Sequence, residues 1–109
     1  MRSGATMKRL PDLPAERALK ILSGRWKMPL LHHVLQEPRR LSELQRLVPG
    51  ITQKVLIQQL RDMERHGLIR RQAHPGTTRV DYLHTDLAEA LRPLLSQLCA
   101  WGQLAGNGE

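Results

Sequence analysis

Gln53, Lys54, Ile57, Gln58 and Arg61 fall on one side of a helical period whose other side carries Leu56, Leu60 and Met63. Their side chains share one kind of chemistry. A glutamine amide pairs with N6 and N7 of adenine, a lysine or arginine with O6 and N7 of guanine, and isoleucine touches a thymine methyl, all in the major groove of duplex DNA. The alternative for these five is an ordinary solvated helix face. What surrounds them favours the first reading.

Two short hydroxyl residues, Ser42 and Thr52, stand where helices open, and the N–H groups there suit phosphate oxygens. Arg79, with Arg70 and Arg71 shortly before it, lies in a stretch of different period and is expected to meet the sugar-phosphate backbone or reach the minor groove. Arg39, Arg40 and Arg46 add charge near the same helices. Seventeen Lys and Arg against ten Asp and Glu give a formal charge of +7 in 109 residues, so the whole surface attracts polyanions.

Other chemistries find little support. Trp26, Tyr82 and Trp101 are the whole aromatic inventory, and both tryptophans fall on apolar helical stripes, which argues against single-stranded nucleic acid stacked on exposed rings. His32 and His33 are adjacent, so on a helix they point about 100° apart and cannot chelate together. His66, His74 and His84 are scattered, and no metal site or cofactor is expected. The chain has no glycine-rich phosphate loop, no paired carboxylates in an apolar setting and no serine with an evident base, so an enzyme is not expected. Cys99, the single cysteine, rules out an internal disulfide and leaves two readings, a small packing residue or an oxidant-sensitive thiol.

The elements that position these residues follow from punctuation and period. Pro14 opens a first amphipathic helix through Ala18, Leu19, Ile21 and Leu22, and Gly24 closes it. A second begins near Trp26, tolerates Pro29 in its first turn, carries Leu30, Leu31, Val34 and Leu35, and stops at Pro38. Ser42 and Gln45 have the spacing of a capping box for a third helix, which points Leu44, Leu47 and Val48 inward. After Pro49-Gly50, Thr52 caps the fourth, which runs to about Arg65 before Gly67. Residues Leu68 to His74 and Arg79 to Leu83 read as two strands around Pro75-Gly76-Thr77-Thr78, a hairpin beside the helix pair. Thr85 and Asp86 start a last helix whose Leu87, Leu91, Leu94, Leu98 and Trp101 recur in steps of four and three, a seam suited to another helix. Pro93 should kink or split it, and Gly102, Gly106 and Gly108 mark its fraying end.

Residues 1–12 have no periodicity and are expected to be a disordered basic tail, leaving 13–105 as one domain. The polar, basic start lacks the apolar run of an export signal, and no stretch approaches about 18 apolar residues. A cytoplasmic protein without membrane contact is expected.

Four segments in this order resemble the HxlR-type transcriptional regulators, winged helix-turn-helix proteins related to the MarR group. They are GRWKMPLL (24–31), EPRRLSELQRLVPGITQKVLIQQLRDMERHGLIRR (37–71), RVDYLHT (79–85) and LCAWG (98–102), within a match running from about Leu13 to Gly102. The resemblance implies a mainly helical fold of about five to six helices with a two-stranded wing, dimerised through its terminal helices. It implies that the fourth helix enters the major groove of double-stranded DNA, beginning at Thr52, Gln53 and Lys54 and continuing to Gln58 and Arg61, with Arg79 in the flanking wing. Leu13, Ala18, Leu91, Leu94, Leu98 and Trp101 would face the partner copy. Many members carry a cysteine just before the proline that opens the first helix, and several sense electrophiles or oxidants through it. Here that place is Leu13, whose apolar side chain has no thiol chemistry, and Cys99 lies elsewhere. Leu41 stands where the family usually has phenylalanine.

The expectation is therefore a homodimeric, sequence-specific regulator, a repressor by the family's commoner habit, on an inverted-repeat operator. Two alternatives stand beside it. One is a regulator gated by an oxidant or by a small-molecule effector bound at the dimer interface, and the other is a winged-helix adaptor that docks an acidic protein.

Overall fold

Several helix boundaries among the described residues have a local cause. The computed structural model describes residues 13–106, so the expected tail at 1–12 lies outside the described residues. Helix α1, Pro14–Leu22, starts on a proline, and the Leu13 N–H left over at its head donates to Glu16 Oε1 at 2.9 Å. Gly24, at φ +105, turns the chain into α2, Lys27–Gln36. Helix α3, Leu41–Leu47, and α4, Gln53–Arg65, are joined by a turn in which Gly50 adopts φ +90. A β-carbon there would meet the Trp26 ring only at ordinary contact distance, 3.8 Å, so the backbone angle is what asks for glycine. The Thr52 hydroxyl accepts from Val55 N at 3.2 Å, as a capping residue should.

Strands β1, Ile69–Ala73, and β2, Val80–His84, pair antiparallel in the register Ile69↔His84, Arg71↔Tyr82 and Ala73↔Val80. The last helical region is split in two, α5 at Asp86–Glu89 and α6 at Arg92–Gly106, with Pro93 in the first turn of α6. This is the mainly helical architecture with a two-stranded wing expected from the sequence. No helix among the described residues is long and apolar enough to cross a membrane.

The core is aliphatic. Leu30, Leu31 and Val34 of α2, Leu44 of α3, and Leu56, Leu60 and Met63 of α4 are all sealed from solvent, with Ile69 of β1 and Ala88 of α5 completing the cluster. Lys27 and Asp62 pair between α2 and α4, and Arg65 also reaches Asp62. The Lys27 hydrogen bond, opposed by partial burial, holds the Asp62 carboxyl below the usual carboxylate range.

Three local expectations fail. The cap of α3 is made by the Arg40 N–H, which donates to Glu43 Oε1 at 2.9 Å, and not by Ser42 and Gln45. The helix opens at Leu41 because Arg39 is drawn into strand pairing with Tyr82, its N–H donating to Tyr82 O at 3.0 Å and its carbonyl accepting at 2.7 Å. Gln45 instead ties the turn before α4, its amide donating to Ile51 O at 2.9 Å. Leu47, expected inside, is 36% exposed, since seven residues of α3 present only one buried stripe. Gly102 does not end the last helix, which continues through it to Gly106.

Arg92 fastens the α5–α6 joint to the rest of the fold. Its Nη2 donates to Leu35 O of α2 at 2.9 Å, while Nε and Nη2 grip Glu89 at 2.7 and 2.9 Å, and His84 reaches the same carboxylate at 2.8 Å. The Arg92 hydrogen bonds, with His84 adding, lower the Glu89 pKa from 4.5 to about 2. Because the folded value is the depressed one, this contribution is full above pH 4.5 and is lost as pH falls toward 2. The melting-temperature gap between wild type and Glu89→Gln should therefore be constant near neutrality and close across that acid window. A gap unchanged down to pH 2 would refute the pairing.

Candidate nucleic-acid interface

Helix α4 has the two-sided character its sequence predicts. Leu56, Leu60 and Met63 are buried, Gln53, Lys54, Gln58 and Arg61 are exposed, and Ile57 is half-buried at the border. Thirteen residues without an internal glycine or proline make a rigid rod for these side chains. Thr52 stands exposed at its head.

Two connected grooves flank this face. Ile57, Arg61 and Glu64 of α4 line the first together with Leu41, Arg71 and Tyr82. Arg40, Ser42, Arg71, Thr77, Thr78 and Arg79 line the second, between the head of α3 and the wing. Arg71 and Tyr82 belong to both, because they are register partners on one face of the hairpin. The Arg71 Nε lies 3.8 Å from Glu64 Oε2, which orients the guanidinium between α4 and the wing. The structure thus gathers Arg40, Ser42, Arg61 and Arg79, expected from the sequence, with Leu41, Thr77, Thr78 and Tyr82, which sequence reasoning did not single out. Only the hairpin register could have exposed that grouping.

Arg39, expected among the outward basic residues, is turned inward. Its Nε donates to His33 O at 2.9 Å, its Nη2 to Gln36 Oε1 at 2.8 Å, and Nη1 lies 3.3 Å from Glu37 Oε2, leaving the side chain 13% exposed. It braces the segment between α2 and α3, because the paired backbone on either side of it fixes where the side chain must go. Arg70 remains exposed on the opposite face of β1, and Arg46 is exposed on α3.

The residues proposed for a partner copy form a separate apolar surface. Leu94, Leu98 and Trp101 of α6 are 43%, 39% and 66% exposed, and Leu13 and Leu19 of α1 stand out as well. Ala18 and Leu91 are half-buried and line one apolar hollow with Ile21, Leu22 and Leu87. Cys99 is exposed on α6 in a shallow groove with His32, Gln36, Arg92 and Ser96.

The histidines work one at a time. His66 sits by Asp62, His74 by Asp81 and His84 by Glu89, while burial pushes the His33 imidazole below its usual pKa. Among the described residues no group of three potential metal ligands converges.

Comparison with known proteins bears on this geometry. Residues 21–108 match the sequence profile of the HxlR-like helix-turn-helix family. YkvN of Bacillus subtilis (strain 168), an uncharacterized HTH-type transcriptional regulator, is 43% identical over 84 residues, 76% of this chain and 71% of its own length. Among solved structures, the HTH-type transcriptional regulator YtcD superposes with a TM-score of 0.81 at 37% identity, over 88% of this chain and 99% of that one. The redox regulator HypR in its reduced form superposes with a TM-score of 0.80 at 32% identity, over 87% of this chain and 95% of that one.

Proposed function

The chain belongs to the HxlR-like helix-turn-helix family of transcriptional regulators, and from that premise we propose that it binds a specific duplex as a homodimer and represses transcription there. One observation carries the reading. The exposed polar side of α4 adjoins the basic grooves beside it, whereas the exposed apolar residues of α1 and α6 line neither groove.

In this reading α4 enters the major groove. Gln53, Lys54, Ile57, Gln58 and Arg61 meet base edges, while Ser42, Thr52, Arg40, Arg71 and Arg79 meet phosphates. Arg39 is left out, because its donors already serve the protein. Leu13, Ala18, Leu91, Leu94, Leu98 and Trp101 cover one another across a two-fold axis, which sets two reading helices about 34 Å apart and asks for an inverted repeat.

Selection of bound duplexes from a random library, repeated at two salt concentrations, tests this. An inverted-repeat motif is expected. Binding that ignores sequence and vanishes with salt would sink it. Gln58→Ala and Lys54→Ala should each cost about 1–3 kcal/mol on the selected site and relax the preference at single positions. Equal loss on every duplex would move these residues from base contacts to phosphate contacts.

A redox-gated form of the same reading is supported by the exposure of Cys99 beside the apolar face of α6 and by the similarity to HypR. Duplex affinity that drops on treatment with a mild oxidant in the wild type and not in Cys99→Ser would favour it.

A further inference from the structure

We propose that Asp81 is the positioning residue of the wing, clamping Arg79 and His74 into one unit that presents the open edge of the Arg79 guanidinium to a backbone phosphate. This rests on the reading above, in which Arg79 is a phosphate contact.

The arrangement follows from the hairpin. Arg79 and Asp81 are two residues apart and so lean to the same side of the strand. His74 closes the opposite strand, its backbone N–H donating to Arg79 O at 3.1 Å. Asp81 Oδ2 accepts from His74 Nε2 at 2.9 Å, and Oδ1 accepts from Arg79 Nε at 3.2 Å with Nη2 to Oδ2 at 3.4 Å. The Asp81 side chain is 13% exposed and that of Arg79 46%, so the carboxylate lies behind and the guanidinium in front.

This fork engages the Nε and Nη2 edge. A guanidinium has five N–H donors in a rigid plane, so holding one edge aims the other, and here it aims from the wall of the groove shared with Arg40, Ser42 and Thr77. Without Asp81 an arginine at a hairpin end would sample many rotamers and lose that freedom on binding. A carboxylate beside an anionic duplex otherwise only repels. Its retreat behind the cation, tied from the far side by His74, suits a brace. The His74 hydrogen bond first, and then Arg79, hold the carboxyl below its usual pKa, as these contacts to its charged form require.

The test titrates a random-sequence duplex at several salt concentrations with wild type, Asp81→Asn, Arg79→Ala and the double variant. Asp81→Asn is expected to weaken binding roughly threefold to tenfold, about as much as Arg79→Ala, with the same flattening of the salt slope by about one. The double variant should bind no more weakly than either single, since both remove one contact. Additive losses, an unchanged salt slope or tighter binding by Asp81→Asn would each overturn the proposal. An Arg79→Ala variant that binds like wild type would overturn the wing contact itself, a separate failure. Should Asp81→Asn fail to fold, as a thermal melt would reveal, His74→Ala takes its place. It removes the rear tether only, and its loss should likewise vanish in the Arg79→Ala background.

Discussion

If the chain pairs as proposed, Leu98→Glu is expected to leave it a monomer and to lower duplex affinity by about a hundredfold or more. No residue of α6 is buried within one chain, although the helix carries Leu94, Leu98, Trp101 and Leu104, the last 83% exposed. Soluble monomers rarely leave a contiguous apolar patch of that kind uncovered. Covering each leucine contributes about 1.5–3 kcal/mol, and a two-fold axis counts every such residue twice. A glutamate at Leu98 would remove that gain and bring two carboxylates together away from water, a cost the remaining seam cannot offset. The monomer keeps its core, because Leu98 is no part of the buried aliphatic cluster. It loses the linkage between two reading helices, and the second half-site then ceases to be intramolecular, worth a factor of about 10² to 10⁴. Light scattering decides it, reading 12.5 kDa or twice that. A Leu98→Glu variant that remains at the doubled mass would refute the seam, whatever its DNA affinity.

The parts of this fold that were legible are those decided within one turn of chain. Pro14, Thr52, Gly67 and Thr85 mark helix ends by mechanisms that need no distant partner, and each works as expected, Gly67 at φ +77 and Thr85 accepting from Ala88 N at 3.2 Å. The two-sided character of α4 was legible for the same reason, since its period separates Leu56, Leu60 and Met63 from Gln58 and Arg61. The cap of α3 and the place of Arg39 were missed because they depend on pairing across the chain. The head of α3 is expected from its sequence to be capped by Ser42 with Gln45, but the strand bridge from Arg39 to Tyr82, more than 40 residues on, opens the helix at Leu41 and brings the Arg40 N–H to Glu43. That same bridge drew Arg39 out of the basic surface. The cluster of His74, Arg79 and Asp81 was equally hidden, because only the register of β1 against β2 brings His74 to Asp81. Local rules thus give the rod and its polar side, while the contacts within the hairpin are a tertiary fact.

Leu56→Ala should be the costliest single truncation on α4, about 2–5 kcal/mol, because it deletes methyl groups from a site with no water and leaves a cavity that neighbours fill only in part. Leu56 belongs to the same buried cluster as Leu30 and Leu31 of α2 and Leu44 of α3, all fully buried, so no exposed chain can swing in to repair the gap. For a domain whose total stability is about 5–15 kcal/mol, that is a large share. The melting temperature should fall by more than about 10 °C when wild type and variant are compared at one protein concentration, since the proposed dimerisation would make the midpoint concentration-dependent. Leu47→Ala is the matched control. It removes the same atoms from a side chain already 36% exposed on the short α3, and should cost less than about 1 kcal/mol. Equal melting temperatures for the two variants would mean that α4 is not held by its apolar stripe. In that case the exposure of Gln58 and Arg61 would no longer follow from the burial of Leu56, and the argument for a reading face would lose its structural footing.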